Sequence, residues 1–170
     1  EYNSRAFVAL SVNRGADWDT IHFINKSEIF DIEFKPGNPD ILYISGGNFV
    51  KRFDGQDWID IKPPIGSNRA INRAEIAVTS HNPEMLMILC QSYDTTSTSP
   101  HTTYVTQLYR SNNMGDDYQE ITDSFIPHQI GYWKMEFEIS PTDTNFIYIG
   151  GFYVNKYLIS NNDAINQGIP

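Results

Sequence analysis

The chain has 170 residues, enough for a real core, and carries 21 acidic against 12 basic side chains for a formal net charge of −9. That balance argues against nucleic-acid backbones and anionic membrane surfaces as partners, since both need a cationic face. A single cysteine, Cys90, excludes an internal disulfide and a CxxC metal site, and no apolar run approaches the roughly 20 residues that span a bilayer.

Aromatics make up 14% of the chain, turn formers are plentiful and Ala/Leu/Glu/Lys-rich stretches are absent, which predicts β-strands joined by tight turns. Glu1 stands just before a strand with no initiating Met, as in a mature or excised segment. Arg5 to Ser11 reads as a strand and Trp18 to about Phe23 as a second. Asn25-Lys26-Ser27, a loop, matches a three-residue glycosylation sequon. Phe30, Ile32 and Phe34 then alternate with polar residues on a strand from Ile29 to Phe34, followed by the turn Lys35–Asp40. Strands are predicted at Ile41–Ser45, Asn48–Phe53 and Trp58–Ile61.

The same order recurs twice. Arg73–Val78, the turn Thr79–Glu84 and Met85–Cys90 open a second unit, with Cys90 read as a small buried hydrophobe. Ser67–Ala77 is read as loop then strand. The polar stretch Ser92–Thr103 is predicted as a long exposed loop before strands at Tyr104–Ser111 and Tyr118–Ile121. A third unit starts at Trp133, with Met135, Phe137 and Ile139 on one face, then the turn Ser140–Asn145 and strands at Phe146–Ile149 and Phe152–Ser160. Ser160–Asp163 begins a further turn. Phe34, Val78 and Ile139 correspond in the three units, as do Leu42, Leu86 and Ile147. Repetition of a four-stranded antiparallel unit at about 40 residues is the mark of a propeller blade. The predicted divisions are a half blade over about 1–24, blades over 28–62 and 71–122, and an incomplete blade over 133–170.

One turn recurs inside this pattern. Ser11, Asn13, Gly15 and Trp18 are matched by Ser111, Asn113, Gly115 and Tyr118, and in shortened form by Asp54, Gly55 and Trp58. Asn and Asp bond their own backbone two residues on, Gly accepts positive φ, and the aromatic is large enough to anchor the turn on a core. These residues resemble the Asp-box, or bacterial neuraminidase repeat, whose pattern is Ser-x-Asp-x-Gly-x-x-Trp. Asn stands for Asp in both longer copies, and Tyr118 stands for Trp in the second. Lys35–Tyr43 and Ser140–Tyr148 also resemble that family's inter-strand turn. The resemblance implies an all-β propeller of four-stranded blades, of which this chain is part of a larger ring. It leaves function open, because the family includes sialidases, xyloglucan-cleaving glycosidases, sortilin-type receptors and secreted surface proteins. The richness in Asn, Ile, Tyr and Asp is similar to exported Bacteroidota proteins, including type 9 secretion and gliding cargo, and implies an extracellular or cell-surface address.

Asp31, Glu75 and Glu136 occupy one position in three successive first strands, the strands that line the channel of a propeller. They read either as a partial acidic ring, able to hold a cation or sugar hydroxyls, or as the polar half of alternating strands. No arginine cluster of sialidase type is visible, so no catalytic residue is assigned. His22, His81, His101 and His128 lack metal-ligand spacing and read as solvated or capping; no metal or cofactor is expected. Trp133, Tyr132 and Tyr104 either stack a sugar or pack a blade. The expected function is a non-catalytic binding or scaffold module that holds a protein or glycan at a propeller face, with the Ser92–Thr103 loop as its contact. The alternative is a glycoside hydrolase with channel-facing carboxylates.

Overall fold

A computed structural model describes residues 5–25, 27–98, 104–121, 134–161 and 163–168. Fourteen strands run through them, with no helix among the described residues. β1 (Arg5–Leu10) and β2 (Asp19–Asn25) form a two-stranded sheet. Three four-stranded sheets follow in chain order. The first holds β3 (Ile29–Phe34), β4 (Leu42–Gly46), β5 (Phe49–Phe53) and β6 (Trp58–Asp60). The second holds β7 (Arg69–Val78), β8 (Leu86–Asp94), β9 (Tyr104–Ser111) and β10 (Gln119–Ile121). The third holds β11 (Glu136–Ile139), β12 (Phe146–Gly150), β13 (Val154–Ser160) and β14 (Asp163–Asn166). Within each sheet the strands are antiparallel and stand in sequence order.

The sheets stack face on face, and alternation along their second strands shows why. Leu86, Ile88 and Cys90 join a core with Tyr43, Val50 and Ile61 of the sheet before, while Met87 and Leu89 join one with Phe137, Ile139 and Ile147 of the sheet after. A strand buried on both faces reads as a continuous apolar run, which is what Met85–Cys90 is. The first strands also touch, β7 lying between β3 and β11. Consecutive four-stranded sheets fanned about adjoining first strands make this all-β chain a partial β-propeller.

Three expectations change. Ser92 belongs to β8, fully buried, because β7 begins at Arg69 and pairs Ile71 with Ser92 and Arg69 with Asp94. Arg69 fixes this extension by donating to the Ser92 hydroxyl and carbonyl at 2.9 and 2.8 Å. The loop is therefore shorter than Ser92–Thr103, and 99–103 lie outside the described residues. The last unit is not incomplete: β14 pairs along β13, joining Ser160 to Asp163 across a tight turn in which Asn161 has φ 51°. So short a connection between Ser160 and Asp163 leaves no room for the longer motif, and its absence hid the strand that follows. Finally, His22 is not merely solvated; it stacks on Trp58 with ring centroids 4.5 Å apart, and burial lowers its pKa. His101 and His128 lie outside the described residues.

Candidate functional site

The repeated turn is a side-chain scaffold for its own backbone. In the first copy the Ser11 hydroxyl accepts from Gly15 N at 2.7 Å, and the Asn13 side-chain oxygen accepts from Asp17 N at 2.9 Å. The second copy repeats both bonds, Gly115 N to Ser111 at 2.8 Å and Asp117 N to Asn113 at 3.0 Å. Asn can stand for Asp because its carbonyl does the accepting, while its amide reaches the carboxylate of Asp17 or Asp117. Both turns hold two successive left-handed residues, Arg14–Gly15 and Met114–Gly115. In the short form, Asp54 accepts from Gln56 N and Asp57 N, and Gly55 has φ 99°. Their side-chain oxygens serve the turns, and no metal-binding cluster of His, Cys, Asp or Glu occurs among the described residues.

The aromatic that closes each turn does different work in different copies. Trp58 is half-buried and donates from Nε1 to the Ile21 carbonyl at 3.2 Å, in the outer strand of the preceding sheet. Tyr118 donates to the Ile61 carbonyl at 2.7 Å, just past the outer strand of its preceding sheet. Trp18 is 64% exposed, so the expected core anchor is absent there.

Asp31, Glu75 and Glu136 lie on β3, β7 and β11, with Glu33 and Glu138 two residues further along their strands. Burial raises the Asp31 carboxyl above its usual range despite the N–H groups of Ile76 and Ile32, and Glu136 adds to the rise. Glu75 is pushed up to about 7, first by burial, and Arg73 opposes the shift. Glu33 is also pushed up to about 7, by burial and then by the charges of Asp31 and Glu138. Glu138 is raised as well, by burial and then by the charges of Asp31 and Glu136.

Two of these groups are already committed, Asp31 across a sheet boundary and Glu75 to an arginine on its own strand. Asp31 Oδ2 accepts from Ile76 N at 2.7 Å, so a carboxylate of β3 satisfies the backbone of β7. Glu75 pairs with Arg73 Nε at 2.5 Å, and the same guanidinium donates to the Met135 carbonyl at 3.1 Å, just ahead of β11. Ser45 donates to the Ala74 carbonyl at 2.5 Å, and Thr79 to that of Ser140 at 3.2 Å. Glu136 is exposed. The one-residue-per-blade pattern was legible in the sequence; Glu33, Glu138 and Arg73 were missed, although their two-residue spacing from the three carboxylates marks the same strand faces.

Antiparallel order puts the second-to-third strand turns at one end of every sheet. Phe152 and Tyr153, 79% and 83% exposed, stand at that end of the third sheet, with the Lys134 ammonium 3.1 Å from the Phe152 ring centre. Tyr104 packs edge-on against Tyr93 at the same end of the second sheet. Tyr132 and Trp133 lie outside the described residues.

Comparison with known proteins gives fold without family. No family profile and no curated protein matches the sequence. Solved structures share the fold, among them a GH74 enzyme of Niastella koreensis, with TM-score 0.66 and 12% identity, and a GH74 xyloglucanase of Xanthomonas campestris, with TM-score 0.60 and 16% identity. Each alignment covers 89% of this chain and 25% of the other, so the chain spans a quarter of the length of those proteins.

Proposed function

We propose that this chain is part of an extracellular or cell-surface β-propeller of Asp-box type that binds a polysaccharide without cutting it. The observation that carries the non-catalytic reading is the commitment of Asp31 and Glu75. One holds the next sheet's backbone and the other holds Arg73, so neither is free to move a proton to a glycosidic oxygen. The binding surface is the end bearing the second-to-third strand turns, where Phe152, Tyr153 and Tyr104 offer apolar ring faces to the C–H face of a sugar. Support for a polysaccharide comes from those two fold neighbours, both GH74 enzymes and one a xyloglucanase. Support for the address comes from a composition similar to exported surface proteins, the type 9 secretion and gliding cargo among them.

Glu33 gives the hydrolase reading its specific basis, since a half-buried carboxyl with pKa about 7 beside Asp31 and Glu138 has the character of a general acid. Affinity electrophoresis in xyloglucan, with reducing-end assay of the same samples, separates the two. The expected result is retardation that Phe152→Ala/Tyr153→Ala removes, with no reducing ends released. Release of reducing ends that Glu33→Gln abolishes would establish the hydrolase. Absence of retardation would turn the search to a protein partner at the loop after Asp94.

A further inference from the structure

The first sheet carries an apolar surface that its counterparts bury. Ile32 and Phe34 of β3 are 48% and 50% exposed, whereas Ile76, Phe137 and Ile139, at the matching positions of β7 and β11, are buried by the sheet before them. Phe7 and Phe23 pair on the face of the two-stranded sheet opposite Val8, 58% and 65% exposed, and Trp18 stands near them in the chain. β1 pairs only with β2 among the described strands. The motif turn joins β9 to β10, the outer pair of the second sheet, and here it joins β1 to β2, so β1 and β2 are an outer pair without inner strands.

Three observations say what covers this surface. Trp58 and Tyr118 each donate to a main-chain carbonyl at the outer strand of the preceding sheet, and the indole N–H of Trp18 meets no acceptor among the described residues. A methyl group on Gly115 would meet Ile61 of the preceding sheet at 2.9 Å, while one on Gly15 would meet only its own Trp18, at 3.7 Å. The chain spans a quarter of the length of its fold neighbours. We infer that Phe7, Trp18 and Phe23 form a stacking face for a further blade of the same polypeptide, in which Trp18 Nε1 donates to a main-chain carbonyl of that blade's outer strand, while Ile32 and Phe34, on the face of the first sheet turned toward β1 and β2, await the inner strands that β1 and β2 lack. An inner strand pair, hydrogen-bonded to the free edge of β1, covers Ile32 and Phe34.

The test extends the 170-residue chain with a second copy of residues 29–98 placed ahead of Arg5, which supplies one four-stranded blade and then an inner pair. Trp18 fluorescence, taken as the difference between the parent sequence and Trp18→Phe, becomes shielded from acrylamide in the extended chain. Trp18→Phe leaves the unfolding midpoint of the short chain unchanged and lowers that of the extended chain by about 2–4 °C. An extended chain with a native near-ultraviolet signature and a Trp18 still open to quencher would overturn the inference. Should the extension not fold, the short chain itself decides: Phe34→Ser reduces binding of an apolar dye and leaves its midpoint in place, and a marked fall in midpoint refutes the idea. A concentration-dependent dimer abolished by Trp18→Asp would assign the face to a second copy instead.

Discussion

At the scale of the residue, two glycines show how one motif is read by its surroundings. Gly15 and Gly115 both have φ near 90°, where an L side chain is strained. Only at Gly115 does the space also close, since an added Cβ would approach Ile61 and the Tyr118 hydroxyl at 2.9 Å. Gly115→Ala is therefore expected to cost more stability than Gly15→Ala, by at least about 1 kcal/mol in urea unfolding, through overpacking at a sheet boundary. Tyr118→Phe, which leaves the Ile61 carbonyl without its donor, should cost about 1–3 kcal/mol in the same assay. The turn chemistry was legible because Ser, Asn and Gly bond locally, within five residues. The role of the aromatic was not, because its acceptor is 37 residues away for Trp58 and 57 for Tyr118. Exposure of Trp18 likewise depends on a neighbour that the motif does not encode.

Among the elements, burial ranks the strands. β8 is covered on both faces, so Leu89→Ala should lower stability by about 2–5 kcal/mol, the range for a buried aliphatic that leaves a cavity. Ile32→Ala, at the matching scale of side chain but half in water, should cost well under half as much; equal losses would show that β3 is not an uncovered strand. Strand positions were legible from alternation and turn residues. The two clear misses have separate causes. Ser92–Asp94 looks like loop because Ser, Tyr and Asp follow the apolar run, and what holds them in the ladder is distant in sequence: Arg69–Ile71 on one side, with the Arg69 guanidinium on Ser92, and Tyr104–Val105 on the other. β14 was hidden because Asp163–Asn166 is four residues long and follows a turn without glycine.

Across the whole molecule, charge is gathered where the first strands adjoin. Glu33 and Glu75 have folded pKa values of about 7, above the ordinary 4.5 for glutamate. The folded state therefore binds more protons than the unfolded chain between these values, and stability falls as pH rises from about 4.5 to about 7. The thermal midpoint should be higher at pH 5 than at pH 7.5, and Glu33→Gln should flatten that slope by holding the site neutral. A slope unchanged by Glu33→Gln would mean that its carboxyl titrates normally. The sequence made this gathering partly legible, since one acidic residue per first strand at a matched position can be counted. What it did not show is direction: whether the carboxylates face an open channel or bind the neighbouring sheet depends on partners 45 residues off, as for Asp31 and Ile76. The account turns on that second arrangement. It is tested most directly by amide hydrogen exchange at Ile76 in Asp31→Ala. Loss of protection at Ile76, with the interior amides of β8 still slow, is the predicted result; an Ile76 amide as protected as before would contradict it.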